Sequence, residues 1–390
     1  MANGTTPFAQ AIDQIARLIP DGPLVATLTG ITSPGSGIRL IDHTGSQYDW
    51  STTPIEWKRM ACRFVVLTPV LDDWPSLSQL VRDIGRQYQA NDVTFEIVAV
   101  DDGSADECDP AAMPPLPSDS CIEGISVIRL ALNLGHQRAI AVGLSSLWQR
   151  TDIDGVVVMD SDGEDRPEDI GSLIAMWRNH PHQVILARRA KRSEAAMFKA
   201  GYLAYRVMFR LLVGRTISFG NFCLLPVTAV RRLVHMPELW NNLPAAIIRS
   251  RVHHRAVQTD RGKRYAGQSK MNLASLVVHG LSAMSVYTDM IFVRVLLASG
   301  FVCALSVAAM IGVAIVRWDT PLAIPGWATT VFGDLLVILI QALILIIATT
   351  LMLLASRSAR QIVPVADAPA FVADRPTIAR RQARQSTVVA

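Results

Sequence analysis

The sequence is poor in cysteine and in net charge, and both shortages narrow its possible functions. The five cysteines show no Cys-x-x-Cys spacing, so we expect isolated reduced thiols, not a zinc site or a disulfide framework. A net charge of +4 over 390 residues gives no reason to expect a nucleic acid partner, although it is compatible with weak attraction to an anionic membrane.

The N-terminal region also lacks two common signals. Residues 1–20 have no continuous apolar core, because Asp13 and Arg17 interrupt an amphipathic pattern; no signal peptide is therefore expected. Gly35-Ser-Gly37 lacks the spacing of a dinucleotide fingerprint or a phosphate loop and indicates only a turn. We interpret residues 1–60 as an extension of unknown role, with a helix over Phe8–Leu18 followed by short strands.

Charge is absent from one long apolar stretch near the C-terminus, and a second contains a single amide. These are Val295–Val316 and Leu335–Ala355, and each has the roughly 20 residues needed to cross a bilayer. A buried core helix is the alternative, but a soluble helix needs a polar stripe that neither stretch has. The flanking charges set the predicted transmembrane helices at 294–317 and 334–356.

Arginines near these spans predict the orientation. The connection between the spans carries one arginine, whereas six follow the second span in the tail 357–390. The catalytic domain and both termini are therefore predicted on the cytoplasmic side of an inner membrane. The basic tail, rich in alanine and proline, is predicted to be disordered. Residues 273–293 repeat apolar side chains at helical spacing, which indicates either an interfacial amphipathic helix or one packed on the preceding domain.

Between residues 61 and 272 the pattern changes to short apolar runs that alternate with amphipathic segments. This predicts an α/β fold with a mostly parallel sheet covered by helices on both faces. The predicted strands are Phe64–Val70, Phe95–Val100, Ser126–Leu130, Gly155–Met159 and Val184–Ala187, and the predicted helices are Ser76–Gln89, His136–Gln149 and Pro167–Asn179.

Acidic residues follow several of these strands, at the edge where ligands bind in such sheets. Asp160 and Asp162 can turn toward a common ion if the chain bends at Ser161. Carboxylate oxygens suit Mg²⁺ or Mn²⁺, which would bridge to a diphosphate and act as a Lewis acid. The alternative is that Asp162 or Asp165 caps the helix that begins near Pro167.

Four segments resemble motifs of glycosyltransferase family 2, which has the GT-A fold. They are Glu96–Asp106, Asn133–Ala139, Val158–Glu168 and Arg264–Lys270. The resemblance is strongest to the polyprenyl-phosphate sugar transferases, which include dolichol-phosphate mannose synthase and bacterial enzymes that load glucose onto undecaprenyl phosphate. It extends from about Phe64 to the second apolar stretch and implies a nucleotide-sugar donor.

The resemblance also implies roles for particular residues at the donor site. Pro69, Asp101 and Asp102 are expected to form the nucleotide pocket, with Asp160 and Asp162 at the ribose, the diphosphate and the metal. For Asp101, the alternative is a turn before Gly103.

Several basic residues are candidates for binding phosphate. Arg138 begins a helix, where an anion is favoured, or is a solvated first-turn residue. Arg188 and Arg189 leave a strand toward the same edge of the sheet. Arg264 and Lys270 flank a glycine turn and are expected either to bind phosphate or to contact lipid headgroups.

One departure from the family bears on the acceptor. Where many relatives read Gly-Asp-Phe-Arg-Leu, this chain reads Gly220-Asn-Phe-Cys-Leu224, and Asn221 cannot take a proton. A phosphate monoester, with a second pKa of about 6, is already largely a dianion and needs no base. Asn221 is therefore compatible with a lipid-phosphate acceptor, and equally with a catalytically retired site.

The sequence therefore supports inverting transfer of a sugar from a nucleotide-diphosphate donor to polyprenyl phosphate. Two alternatives remain: transfer to another lipid or glycan, and a non-catalytic membrane protein that binds sugar nucleotides. A homo-oligomer is possible under each of them.

Overall fold

The computed structural model describes residues 39–41, 47–49, 62–88, 92–189, 207–214, 219–266, 280–319 and 326–381. It divides the chain into two units, Met1–Arg59 and Met60–Ala390. In the first unit, strands β1 (Arg39–Ile41) and β2 (Gln47–Asp49) pair antiparallel. The predicted helix Phe8–Leu18 lies outside the described residues.

The second unit is built on a nine-stranded sheet. Its strands are β3 (Cys62–Val70), β4 (Val93–Asp101), β5 (Ile122–Leu130), β6 (Gly155–Val158), β7 (Val184–Arg189), β8 (Cys223–Pro226), β9 (His254–Thr259), β10 (Val372–Asp374) and β11 (Thr377–Arg380). The order is β10-β5-β4-β3-β6-β8-β7-β9, with β11 also on β5. Strands β5, β4, β3 and β6 are mutually parallel, so the predicted mostly parallel α/β sheet is confirmed.

Helices cover both faces of this sheet. They are α1 (Trp74–Gln87), α2 (His136–Leu147), α3 (Pro167–Asn179), α4 (Val227–Leu233) and α5 (Leu243–Ser250). Strand β3 is a nearly continuous apolar run that is buried from Phe64 to Val70, as a central parallel strand must be when helices cover both sides. One buried cluster packs α2, α4 and α5 on one face, and a second packs α1 and α3 on the other.

An antiparallel strand interrupts the parallel order, which the sequence did not reveal. Strand β8 lies between β6 and β7 and runs opposite to both. Its four residues are buried, so their apolar pattern is also that of a parallel strand and carries no sign of direction. Because of this direction, the start of β8 lies at the edge where the parallel strands end.

Two long apolar helices follow, α6 (Thr288–Asp319) and α7 (Trp327–Ser358), each long and apolar enough to cross a membrane. Their large apolar side chains are exposed, for example Leu297 and Phe301, both at 68%. Burial in a soluble core, the alternative considered above, therefore does not describe these helices.

The segment preceding α6 differs from its first interpretation. Met284 and Tyr287 are buried with Phe209 and Ala245, and the Tyr287 hydroxyl donates to the Ala245 carbonyl at 3.3 Å. These residues are packed on the domain, and 288–293 already belong to α6. The interfacial helix predicted for 273–293 is thus wrong at Met284 and Tyr287, whose apolar side chains contact protein.

The prediction of a disordered tail is also wrong over most of the tail. Helix α8 (Pro364–Asp367), a 3₁₀ turn at Ala368–Phe371, β10 and β11 are ordered, and both strands pair antiparallel with β5. Ala368 is 1% exposed and belongs to the core cluster around α2. A basic composition did not prevent order, because the open edge of β5 supplies backbone partners.

Burial of Ala368 makes the attachment of the tail testable. Ala368→Asp places an unpaired carboxylate in the core and should destabilise the domain by about 2–5 kcal/mol, with proteolysis appearing after α7. Ala370→Asp is the matched control, since Ala370 is exposed in the same turn, and its effect should stay within about 0.5 kcal/mol. Thermal unfolding in detergent and limited proteolysis measure both, and equal stability of the two variants would contradict the described packing.

Candidate active site

The direction of the strands gathers the candidate residues at one edge of the sheet. Strands β4 and β7 end there with Asp101 and Arg189, and Asp160 follows the end of β6. The antiparallel β8 begins there, which brings in Asn221, and β9, parallel to β7, ends shortly before Arg264. Side chains 100 residues apart in sequence, such as Arg264 and Glu164, thus meet at the edge where ligands bind in open α/β sheets.

The loop after β6 carries four carboxylates in six residues: Asp160, Asp162, Glu164 and Asp165. Asp162 Oδ1 accepts the Glu164 amide at 2.9 Å, and Asp165 Oδ2 accepts the Asp160 amide at 3.0 Å. The residue before α3 is Arg166, and no side-chain hydrogen bond caps this helix. The two aspartates considered as caps therefore organise the loop instead.

Arginines from the end of β7 and from the segment after β9 neutralise this acidic loop. Arg264 Nη2 lies 2.7 Å from Asp162 Oδ2, and its Nε lies 3.0 Å from Glu164. Arg261 also pairs with Glu164, and Arg189 lies 2.6 Å from Asp165. Close ion pairs are required here because several partly buried carboxylates cannot otherwise remain charged side by side.

The electrostatic environments of the four acids differ. Burial opposes ionisation of Asp160, but His136, Arg189 and Arg264 outweigh it and lower its pKa. Burial, with the Asp160 charge, raises the pKa of Asp165. Burial also raises the pKa of Asp162, whereas Arg261 and Arg264 overcome burial and lower the pKa of Glu164. Asp160 and Glu164 are therefore the two carboxylates whose ionised form the site favours.

Histidine 136, at the start of α2, faces Asp160. Its Nε2 lies 3.3 Å from Asp160 Oδ1. Burial alone would lower the pKa of His136, but the charges of Asp160, Asp102 and Asp165 outweigh it and raise the pKa. The imidazole therefore belongs to the charge balance of the site.

The donor set fits a divalent cation only in part. Asp160 Oδ1 is buried and accepts no hydrogen bond from the described residues, and hard oxygen atoms suit Mg²⁺ or Mn²⁺. Asp162 is engaged by Arg264, and the described part of the chain contains no group of three His, Cys, Asp or Glu ligands around one point. Asp160 and Asp162 would thus hold a cation only together with ligand oxygens, such as those of a diphosphate.

The residues predicted for the nucleotide pocket are buried beside this loop. Asp101 is 2% exposed; its Oδ1 accepts the Ser104 amide at 2.8 Å, and Arg129 lies 3.8 Å from its Oδ2. Asp101 therefore does form the turn at Gly103, whose φ of +78° favours glycine. Pro69 is buried in β3 beside Val100 of β4.

Asp102 supports the loop that leads into α2. Its carboxylate accepts the Leu134 amide at 2.7 Å and the Gly135 amide at 3.0 Å. Burial is the main cause of its raised pKa. Asp102 thus shapes the pocket by holding the backbone that presents His136.

Three other predicted residues do not join the acidic loop. The Arg138 guanidinium lies 5.9 Å from the centre of the Trp240 ring, a cation–π distance. Arg188 is exposed at the end of β7, and its neighbour Arg189 makes the contacts expected of it, because successive strand residues point to opposite faces. Lys270 lies outside the described residues.

Three residues of the site were not predicted from the sequence to belong to it. They are Glu164, Asp165, which was predicted only as a helix cap, and Gln137. Gln137 donates to Asn221 Oδ1 at 2.9 Å, and Asn221 Nδ2 lies 2.9 Å from His136 Nε2. The density of acids in Asp160–Asp165 was the available signal for the first two. The sequence contains no such signal for Gln137, because its partner Asn221 lies 84 positions away.

Comparison with known proteins finds matches to glycosyltransferases. Residues 65–231 match Glycosyl transferase family 2. The uncharacterized glycosyltransferase YkcC of Bacillus subtilis is 24% identical over 232 residues, covering 58% of this chain and 68% of its own. The undecaprenyl-phosphate 4-deoxy-4-formamido-L-arabinose transferase of Proteus mirabilis is 29% identical over 163 residues, covering 41% and 47%.

The chain thus spans about half to two thirds of the length of these curated relatives. Among solved structures, glucosyl-3-phosphoglycerate synthase of Mycobacterium tuberculosis in complex with Mn²⁺ and UDP-glucose is similar, with a TM-score of 0.42 and 15% identity. That match covers 60% of this chain and 80% of the synthase chain.

The ion pair on Asp162 generates a prediction about cation binding. Arg264→Gln frees the carboxylate and should tighten Mn²⁺ binding in the absence of donor by about two- to fivefold, the range of a partly exposed ion pair. Arg261→Gln removes the same charge from the same loop but leaves the Asp162 contact intact. Titration of Mn²⁺ followed by electron paramagnetic resonance compares them, and equal tightening in both variants would refute a specific role for the Arg264–Asp162 pair.

Proposed function

We propose that this chain, whose residues 65–231 match Glycosyl transferase family 2, is a glycosyltransferase that transfers a sugar, with inversion, from a nucleotide-diphosphate donor to a polyprenyl phosphate. The observation that carries the proposal is the loop Asp160–Asp165 at the carboxyl edge of the sheet, whose acids are balanced by arginines from other strands. Such a loop can exchange an internal ion pair for a cation and a diphosphate.

The ion pairs of Arg264 support binding of a nucleotide-diphosphate donor. Arg264 binds Asp162 and Glu164 in the absence of ligand. When Asp160 and Asp162 receive a divalent cation, the guanidinium is free to form paired hydrogen bonds with phosphate. Mg²⁺ or Mn²⁺ would supply Lewis-acid stabilisation of the leaving nucleoside diphosphate.

The neutral side chain of Asn221 supports a phosphate acceptor. Asn221 lies one contact away from Asp160, through His136. An amide cannot remove a proton from a hydroxyl, but a phosphate monoester is already largely ionised at neutral pH. Relatives named undecaprenyl-phosphate sugar transferases agree with an acceptor of this class.

The apolar helices support a lipid-borne acceptor at a membrane. Exposed Leu and Ile side chains along α6 and α7 need a hydrocarbon environment. The domain before α6 and the tail after α7 belong to one sheet through β5, β10 and β11, so two spanning helices must form a hairpin with both ends on one side. The arginines of the tail favour the cytoplasmic side, where nucleotide sugars are made.

Product chemistry tests the proposed reaction. Membranes that contain the protein, given polyprenyl phosphate, Mn²⁺ and a screen of labelled nucleotide sugars, should form a glycolipid that mild acid cleaves. Asp162→Ala should lower the rate at least about a hundredfold, because the cation loses a ligand. Asp119→Ala, at an exposed turn, is the matched control and should retain the full rate.

An acid-stable glycolipid would point instead to a hydroxyl acceptor. Full activity in Asp162→Ala would remove the metal role from the proposal. Absence of turnover with every donor, with binding retained in calorimetry, would favour the non-catalytic alternative.

The proposed orientation of α6 and α7 in the membrane can be tested by chemical labelling. Asp319→Cys, at the end of α6, should react with a charged maleimide from outside sealed right-side-out vesicles, because the hairpin places it on the far side. Ala370→Cys should react only after permeabilisation, and the unmodified chain gives the background of the five native cysteines. Labelling of both positions from the same side would contradict the hairpin.

A further inference from the structure

One row of charged side chains crosses three neighbouring strands and ends at the predicted nucleotide pocket. Asp101 of β4 lies opposite Arg129 of β5, and Arg129 lies opposite Asp374 of β10. Register partners on adjacent strands point to the same face of a sheet, so an acid, a base and an acid follow one another across it. The outer member, Asp374, belongs to the tail that follows α7.

Arg129 is held by two acids and stops short of a third. Its Nη1 atom lies 2.9 Å from Glu107 Oε1 and 3.2 Å from Asp374 Oδ2. Its Nε atom is buried, donates to none of the described residues, and lies 3.8 Å from Asp101 Oδ2. That separation is too long for a hydrogen bond. Arg129 is therefore a counter-ion for the buried Asp101 carboxylate without a hydrogen bond to Oδ2.

The same guanidinium also fixes the loop from Asp101 to Glu107, because it lies beside the first and the last residue of that loop. Between these ends, Trp74 Nε1 donates to the Asp106 carbonyl at 2.9 Å. A loop that is held before the ligand arrives loses less conformational freedom on binding. The position of Arg129 should therefore affect how tightly the pocket binds a nucleotide.

The tail supplies the better-fixed of the two acids that hold Arg129. The Glu107 side chain is 79% exposed, and so exposed a carboxylate orients its partner only weakly. Asp374 is brought to Arg129 by the backbone pairing of β10 with β5. The turn before β10 is anchored in the core by Ala368, which is 1% exposed. The fold itself thus places Asp374 beside Arg129.

We propose that Asp374 is a positioning residue of the donor site, which acts through Arg129 to set the affinity for the nucleoside diphosphate of the donor. The proposal rests on the proposed function, since it concerns the nucleotide pocket of that reaction. Without the Asp374 charge, the guanidinium loses its partner on β10, and Asp101 and the loop that follows it are held less firmly. Two residues 245 positions apart thereby form one support of the pocket.

Four variants separate this role from a general loosening of the tail. Asp374→Asn removes the charge at nearly constant size, whereas Asp374→Glu retains it. Arg129→Gln removes the group through which Asp374 is proposed to act. Arg381→Gln is the matched control, because Arg381 also joins the tail to the β5 region. Its Nη1 atom donates to the Ser120 carbonyl at 3.0 Å, before the start of β5 and at the opposite end from Asp101.

Calorimetry on the whole protein in detergent measures the Kd of UDP, GDP, ADP, CDP and dTDP with Mn²⁺ and no acceptor. For the nucleotide that binds, Kd should rise about two- to fivefold in Asp374→Asn, the range of a partly exposed ion pair. It should rise about tenfold in Arg129→Gln, which loses contacts at both ends of the loop. In Asp374→Glu and Arg381→Gln it should stay within about twofold. In turnover, KM for the donor should follow these changes and KM for the acceptor should not.

A double substitution tests whether Asp374 acts through Arg129. In the Arg129→Gln background, Asp374→Asn should leave Kd unchanged, because the interaction that it removes no longer exists. A further rise of about two- to fivefold would mean that Asp374 acts independently of Arg129 and would overturn the proposal. An unchanged Kd in Asp374→Asn alone would overturn it too, as would an equal rise in Arg381→Gln.

The outcomes also separate this proposal from the proposed function. If none of the five nucleotides binds to the unmodified protein, the donor site fails and this proposal fails with it. If one binds but no sugar reaches lipid phosphate, the proposed reaction fails, while the Kd values still decide the role of Asp374. Should Arg129→Gln not fold, equal Kd values in Asp374→Asn and Asp374→Glu would overturn the proposal.

Discussion

The neutralisation of four carboxylates by basic side chains from distant strands is the constraint on which this site depends. Asp160, Asp162, Glu164 and Asp165 occupy six consecutive residues and are partly withdrawn from water. Without Arg189, Arg261 and Arg264 their mutual repulsion would open the loop or force it to take up protons. The same ion pairs bring the ends of β7 and β9 against the loop, so electrostatic balance and the shape of the pocket have one origin.

This arrangement also explains how a closed, ion-paired loop can be a binding site. An arginine paired with a carboxylate is already desolvated and oriented, so exchange of that carboxylate for a diphosphate replaces one anion with another. Asp160 and Asp162 would then be available to hold a divalent cation, which would neutralise charge on the diphosphate. The ligand-free protein therefore holds its charged groups in the positions that the proposed reaction needs.

The acceptor side follows a different principle. Beside Asn221 lies a second neutral amide, Gln137, which donates to Asn221 Oδ1 and accepts the backbone N–H of Leu243. A phosphate acceptor needs no base, whereas a base would be needed for a hydroxyl. The tail contributes to the same domain from the far end of the chain, since β10 and β11 close the edge of β5 and Asp374 pairs with Arg129, the partner of Asp101.

The sequence by itself determined the elements with strong local patterns. The parallel strands β3 to β7, the helices α1 to α3, the two long apolar helices and the acid pair Asp160–Asp162 were all predictable, because hydrophobic periodicity and strand-end position depend on nearby residues. The tertiary structure alone decided the direction of β8, the contacts of Arg189, the order of the tail and the hydrogen bond between Gln137 and Asn221. Each of these depends on contacts between residues far apart in sequence, such as Arg264 with Glu164. Which distant groups meet is set by strand order and burial, and no local pattern records it.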